Sequence, residues 1–349
     1  MSCMMSKQDF VKKEKYLKLN EKGDFIIDYC EKLDIIDFHT HMSNVLPFKI
    51  INPNTKGNTL NYRTLPDIDN MDLAVPYWTK ISTDEKKKGL LSVLKFSLEG
   101  YNIFKYIIHS GTYENCFKSQ EENMIKRNVV LPISSKKYDR SLEALKVAKD
   151  YPDRLTAFCS VYPGDPKMTE KLVKYKSLGA KGYKIKITDM ELKNNFKPLI
   201  EVFKVCHEVG LSVLLHTGSL THIKKSNTSN LMWKLLQSTR VEIYGELLKE
   251  LPRDFKFIFG HSGISEYKLV AEYLKQYPAT YTELSCQSTD SIQYLIQEVG
   301  YERLLFGSDW PALPQSITLS RVLEATENNQ QAREHIVVKN AEKLLNVHI

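Results

Sequence analysis

The 349-residue chain carries 49 Lys and Arg against 42 Asp and Glu, a formal net charge of +7, with 42% hydrophobic and 26% charged residues. That balance belongs to a folded globular protein and excludes a disordered or low-complexity chain, and the short lysine clusters such as Lys86 to Lys88 read as solvated surface rather than a nucleic-acid stripe. No run of about 18 apolar residues occurs, the N-terminus lacks an apolar signal core and the six cysteines show no Cys-x-x-Cys spacing, so a cytoplasmic protein without membrane spans or a disulfide framework is expected.

In chain order, the first clear element is "LDIIDFHTH" (33–41), an apolar strand that ends in His39 and His41. Residues 42–112 then separate it from the helix before the second strand, far more than a strand-to-helix loop needs. They read as an insertion that could form a lid over an active-site mouth, with a peripheral packing subdomain as the alternative. From about residue 113 one grammar repeats: an amphipathic helical stretch, a short β-rich apolar run, a polar break. The runs are "NVVLPIS" (128–134), "LTAFCSVYP" (155–163), "AKGYKIKI" (180–187), "LSVLLHTG" (211–218), "FKFIFGHSG" (255–263), "ATYTELS" (279–285) and "RLLFGSDWP" (303–311). Helical patterns lie between them, among them "FKPLIEVFKVCHEVG", which closes on Gly210 as a C-terminal cap. A second long connection, "GSLTHIKKSNTSNLMWKLLQSTR", comes after the fifth run. Eight strands alternating with helices predict an α/β protein, a single (β/α)8 TIM barrel over 1–349 with a long insertion after the first barrel strand. A doubly wound open sheet is the structural rival.

In a barrel, side chains at the C-terminal ends of the strands converge on one mouth. The polar residues that end these runs are His39 and His41 on the first strand, Lys184 or Lys186 on the fourth, His216 on the fifth, His261 on the sixth and Asp309 on the eighth. Residues two apart on a strand face one side, so His39 and His41 would share a direction. Each alone is ordinary, since a single His after an apolar run usually serves the core or a loop. Together, four of the nine histidines and one Asp at strand ends point to a divalent metal. Neutral imidazoles with a carboxylate suit Zn2+, Mn2+, Fe2+ or Co2+, with Zn2+ the first expectation. Such an ion generates a hydroxide nucleophile and polarises a carbonyl, while a neighbouring carboxylate moves the proton.

The segments "IIDFHTH", "LLHTG", "FIFGHSG", "LLFGSDWP" and "IVVKNAEKLL" resemble the amidohydrolase superfamily, in particular its amidohydrolase-related (amidohydrolase 2) branch of TIM-barrel metal-dependent hydrolases and decarboxylases. The resemblance covers most of residues 33–346 and not the 42–112 insertion. It implies that His39, His41 and Asp309 bind one metal. With a single ion, the favoured form, His216 is the further ligand and His261 hydrogen-bonds the nucleophile or substrate. With two ions, His216 and His261 hold the second and a carboxylated Lys184 bridges both; an unmodified Lys184 pairing with Asp309 or an anionic substrate is the alternative.

The function expected from residues and resemblance together is hydrolysis of a small ester, lactone or amide, with Asp309 and His261 catalytic. The alternatives are non-oxidative decarboxylation of an aromatic or unsaturated carboxylic acid and, from a different class, a catalytically inactive barrel that serves as a binding protein. Arg63, Trp78, His222 and Trp310 are candidate substrate contacts. The expected partner is a small molecule, with neither nucleic acid nor membrane; self-association suits such a barrel, though no residue demonstrates it.

Overall fold

The computed structural model describes residues 7–46, 110–187, 195–218 and 240–349. Most of the 42–112 insertion, including Arg63 and Trp78, therefore lies outside the described residues, as does His222. No helix among the described residues is long and apolar enough to cross a membrane.

The chain begins with a short helix α1 (Lys7–Val11) and an antiparallel hairpin of β1 (Leu17–Leu19) and β2 (Phe25–Ile27). The hairpin turn is built by Asn20, whose Oδ1 accepts from the backbone N–H of Lys22 and Asp24, both at 2.9 Å, with Gly23 supplying a positive φ of 75°. This hairpin was not among the sequence expectations, because its strands are only three residues long.

The eight expected strands are β3 (Ile35–Thr40), β4 (Ile125–Val130), β5 (Leu155–Ala157), β6 (Gly182–Ile185), β7 (Ser212–Leu215), β8 (Phe257–Phe259), β9 (Tyr281–Glu283) and β10 (Leu304–Leu305). Their regular pairing is parallel in two runs, β3-β4-β5 and β6-β7-β8-β9-β10. Parallel bridges join the runs: Cys159, past the end of β5, pairs with Tyr183 of β6, and Thr40, the last residue of β3, with Trp310, past the end of β10. Backbone bonds from Lys184 N to Cys159 O (2.8 Å), His41 N to Trp310 O (2.7 Å) and Asp309 N to His39 O (2.9 Å) complete the ring. The result is a TIM barrel.

Between the strands run α2 (Tyr113–Glu122), α3 (Ser141–Asp150), α4 (Met168–Ser177), α5 (Lys197–Glu208), α6 (Val241–Lys249), α7 (Tyr267–Gln276), α8 (Thr289–Val299) and α9 (Gln315–Ala325), then the short α10 (Gln330–Glu334) and α11 (Asn340–Leu345). In α5 the buried set Leu199, Val202, Phe203 and Cys206 recurs at three- and four-residue steps. Past its end, Gly210 takes a φ of 69° and Leu211 N bonds Cys206 O at 2.7 Å, the expected glycine cap.

Strand alternation sorts the apolar residues into two layers. Ile35, Val130, Tyr183, Ile185, Phe257, Phe259 and Phe306 pack outward against the helices. Ile36, Phe38, Val129, Phe158, Leu214, Ile258 and Leu305 fill the barrel, with Ala341, Leu344 and Leu345 of α11 against them. Residues two positions further along the inner faces therefore reach the mouth: Lys184 and Lys186 past Gly182, His216 past Leu214, Glu283 past Tyr281, and Gly307 then Asp309 past Leu305.

β3 departs from simple alternation. Asp37 pairs with Asn128 and Thr40 with Val130, so three steps on β3 match two on β4. Such a bulge re-aims one side chain. Phe38 fills the barrel beside Phe158, 5.7 Å between ring centroids, and the next residue, His39, also turns inward.

Candidate metal centre

His39 and His41 meet at the mouth with their Nε2 atoms 3.0 Å apart. Asp309 Oδ1 lies 3.5 Å from the first and 3.4 Å from the second. On the far side of each ring, Nδ1 is engaged: His41 Nδ1 donates to the Leu131 carbonyl and His39 Nδ1 to Glu283 Oε1, both at 2.7 Å. A neutral imidazole has one N–H, so these bonds direct both Nε2 lone pairs at Asp309. Three acceptor atoms at such separations repel one another unless a cation sits among them. Metal bonds of about 2.1 Å to imidazole and carboxylate place neighbouring ligand atoms about 3 to 3.5 Å apart, so the residues fit a divalent ion.

His261 adds a further donor. Ligand atoms of His39, His261 and Asp309 all lie within 4.8 Å of one another, and the His39 and His261 rings stack at 4.6 Å. His261 Nε2 is 2.8 Å from His216 Nδ1, which places His216 against the group from the β7 side. Lys184 Nζ lies 3.1 Å from His39 Nε2, on the lone pair that an ion would take. The structure thus brings together His39, His41, Lys184, His216, His261 and Asp309. Trp310 is 1% exposed and packs in the apolar layer between strands and helices.

Burial governs the charges. All four imidazoles are pushed well below the ordinary histidine value, first by burial and further by the charges of Lys184 and Lys186, so they stand neutral with lone pairs available. Burial likewise lowers Lys184 and raises Asp309, each partly offset by the other's charge.

Local backbone geometry aims these groups. His261 and Ser262 have φ of 54° and 44°, Asp309 63° and Cys286 64°. Non-glycine residues in this region are strained and cluster at functional sites. The strain at His261 is supported by Gln287 Nε2, which donates to His261 O at 2.7 Å, and by Ser262 Oγ, which donates to Glu283 O at 2.9 Å.

Several partners escaped sequence reasoning. Asp37 is fully buried beneath the site and accepts from Ser308 N (3.0 Å), Ser308 Oγ (2.5 Å), His39 N (3.1 Å) and Gln315 Nε2 (2.6 Å). Burial pushes its carboxyl up to about 6 despite those donors. Glu283 and Ser285 are fully buried beside His39 and His261. A charged residue on the inner face of "ATYTELS", two places beyond Tyr281, was the signal available for Glu283.

A family model described as amidohydrolase matches residues 116–347, most of the chain. The chain belongs to the amidohydrolase family. The match begins beyond β3, so His39 and His41 lie outside it while His216, His261 and Asp309 lie within. No curated protein matches the sequence of this family member. Among solved structures it is similar to a 5-carboxyvanillate decarboxylase from Sphingomonas paucimobilis, at 12% identity over 90% of this chain and 100% of that one, with a TM-score of 0.59. A second, from Novosphingobium aromaticivorans, is a 5-carboxyvanillate decarboxylase complexed with manganese and 4-hydroxy-3-methoxy-5-nitrobenzoic acid, at 16% identity over 95% and 99%, TM-score 0.55. A third is a probable 2-pyrone-4,6-dicarboxylic acid hydrolase from Acinetobacter baumannii, at 13% identity over 90% and 100%, TM-score 0.52. At such identities the likeness is one of fold.

Proposed function

We propose that the chain is a metal-dependent hydrolase that holds a divalent ion among His39, His41 and Asp309 and cleaves a small anionic ester, lactone or amide. The observation that carries this reading is the convergence of the two Nε2 atoms and Asp309 Oδ1 within 3.0 to 3.5 Å, with both Nδ1 atoms engaged elsewhere. A divalent ion supplies Lewis-acid activation of water and of a substrate carbonyl. Asp309, raised above the ordinary carboxylate range by burial, takes a proton from the attacking water and returns it to the leaving group. His261, with Nδ1 held by Ser285 Oγ at 2.6 Å, offers its Nε2 lone pair at the mouth as a further ligand.

One ion is the favoured form, with His216 or His261 completing the set; a two-ion form would recruit both and need Lys184 as its carbamate. Zn2+ is the first candidate. Manganese in a structural relative supports testing Mn2+ beside it, with Fe2+ and Co2+. The anionic substrate is argued from charge. An ion together with Lys184 and the half-buried Lys186 outweighs the carboxylates of Asp309 and Glu283, and Lys186 acts electrostatically on all four imidazoles.

The same excess of positive charge supports a second reading, non-oxidative decarboxylation of an aromatic or unsaturated acid, since Lys184 and Lys186 stand at the mouth end of β6, where an anionic substrate group would be attracted. The experiment is a screen of metal-loaded protein in 18O-labelled water against lactones, esters, amides and hydroxybenzoic acids. Incorporation of the label into an acid product supports hydrolysis and CO2 release supports decarboxylation. Neither, from protein that retains one ion per chain, would favour the inactive binding barrel.

A further inference from the structure

Glu283 is a fully buried carboxylate that lies behind the mouth and touches two of its histidines. Its Oε1 accepts the Nδ1–H of His39 at 2.7 Å and the backbone N–H of His261. It also accepts from Ser285 Oγ at 3.1 Å, while Oε2 accepts from Ser285 N at 2.8 Å. Ser285 Oγ is in turn 2.6 Å from His261 Nδ1. A hydroxyl has one proton, and here it points to Glu283, so Ser285 Oγ presents a lone pair to His261 and takes the Nδ1–H of that ring. The bonds run His261 Nδ1–H to Ser285 Oγ–H to Glu283, beside His39 Nδ1–H to Glu283.

We propose that Glu283 is the positioning residue that makes both His39 and His261 metal ligands, fixing each as the Nδ1–H tautomer, directly for one and through Ser285 for the other, so that both Nε2 lone pairs face the ion. This rests on reading the mouth as a metal centre. A carboxylate behind a ligand imidazole raises its basicity and holds its ring, and one carboxylate serving two rings from different strands also locks β3 to β8 at the level of the site. The fold makes room for it. A Cβ at Gly307 would stand 2.5 Å from Glu283 Oε2 and 3.0 Å from His39 Cβ, so a glycine at 307 is what lets the carboxylate lie behind His39.

Tautomer state and metal affinity test this. In metal-free wild-type protein, 15N spectra of the histidine side chains, assigned with His39→Gln and His261→Gln, should show both rings protonated at Nδ1; protonation of either at Nε2 overturns the proposal. Titration with Mn2+ should show Glu283→Gln weakening binding by roughly 10- to 100-fold, with Glu283→Asp intermediate. Ser285→Ala should weaken it less, because it severs only the His261 branch. Gly307→Ala, which displaces the carboxylate without changing its chemistry, should weaken Mn2+ binding as well. Wild-type affinity in folded Glu283→Gln or Gly307→Ala protein sinks the proposal. If Glu283→Gln does not fold, the wild-type tautomers and Ser285→Ala decide. Failure of wild-type protein to bind Mn2+, Zn2+ or Co2+ would refute the metal reading, and the tautomer measurement would still judge Glu283.

Discussion

At the scale of single residues, the centre depends on who holds which proton. His41 is fixed by a backbone carbonyl, that of Leu131, which no side-chain substitution can remove. Asp309 is different, since among the described residues its carboxylate is the one set against both Nε2 atoms. Asp309→Asn keeps the shape and deletes the charge and the base. The expected outcome is loss of the bound ion from purified protein by elemental analysis and a fall in turnover of at least about 100-fold, with an unchanged far-UV circular dichroism spectrum. Full activity in that variant would remove Asp309 from the mechanism. Gly218 is a second sensitive position: φ is 103°, and a Cβ there would stand 2.5 Å from the carbonyl carbon of Gly263. The turns that carry His216 and His261 pass too close for any side chain.

At the scale of elements, two features do most to place the histidines. The bulge in β3 sends both Phe38 and His39 inward, one to seal the barrel and one to the mouth. The other is the N-terminal segment of α1 and the hairpin, which packs Phe10, Leu17 and Phe25 against Cys286, Leu313 and Ile317. It is pinned by a buried ion pair, Arg321 Nη2 to Glu14 Oε1 at 2.9 Å, and Arg321 Nη1 also donates to Gln287 O at 3.0 Å. Since Gln287 holds the His261 carbonyl, the hairpin supports the strained turn from behind. Arg321→Met should cost about 3 kcal/mol or more in a denaturant titration, because it strands the Glu14 carboxylate in the interior. Adding Glu14→Gln should recover part of that loss. Equal stability of Arg321→Met and wild type would show that the pair is dispensable.

At the scale of the whole molecule, the apolar layer between strands and helices buries the thiols of Cys116, Cys159 and Cys206, and Cys286 lies buried beneath the hairpin. Burial pushes all four well above the ordinary thiol range, whereas Cys30 is exposed. A raised thiol value leaves little reactive thiolate at neutral pH, and burial bars the reagent. Native protein treated with iodoacetamide near pH 8 should therefore carry label at Cys30 and none at those four, read by peptide mass spectrometry. Denaturant should expose them together, as expected of a barrel that unfolds as one unit; early labelling of Cys286 alone would mean that the hairpin opens separately.

The sequence by itself determined the alternation of strands and helices and the set of strand-end histidines with Asp309. Strand periodicity and ligand chemistry are local properties that a linear text records. It also suggested that His39 and His41 face one side, since their spacing requires it. It could not show the bulge, because an extra residue in β3 is defined only against the register of β4. Nor could it show that Asp309 and His261 sit at positive φ, or that Glu283, Ser285 and Gln287, from and just past one strand, brace histidines on others. Those relations join residues more than twenty to more than two hundred positions apart, and only closure of the ring brings their donors and acceptors within reach.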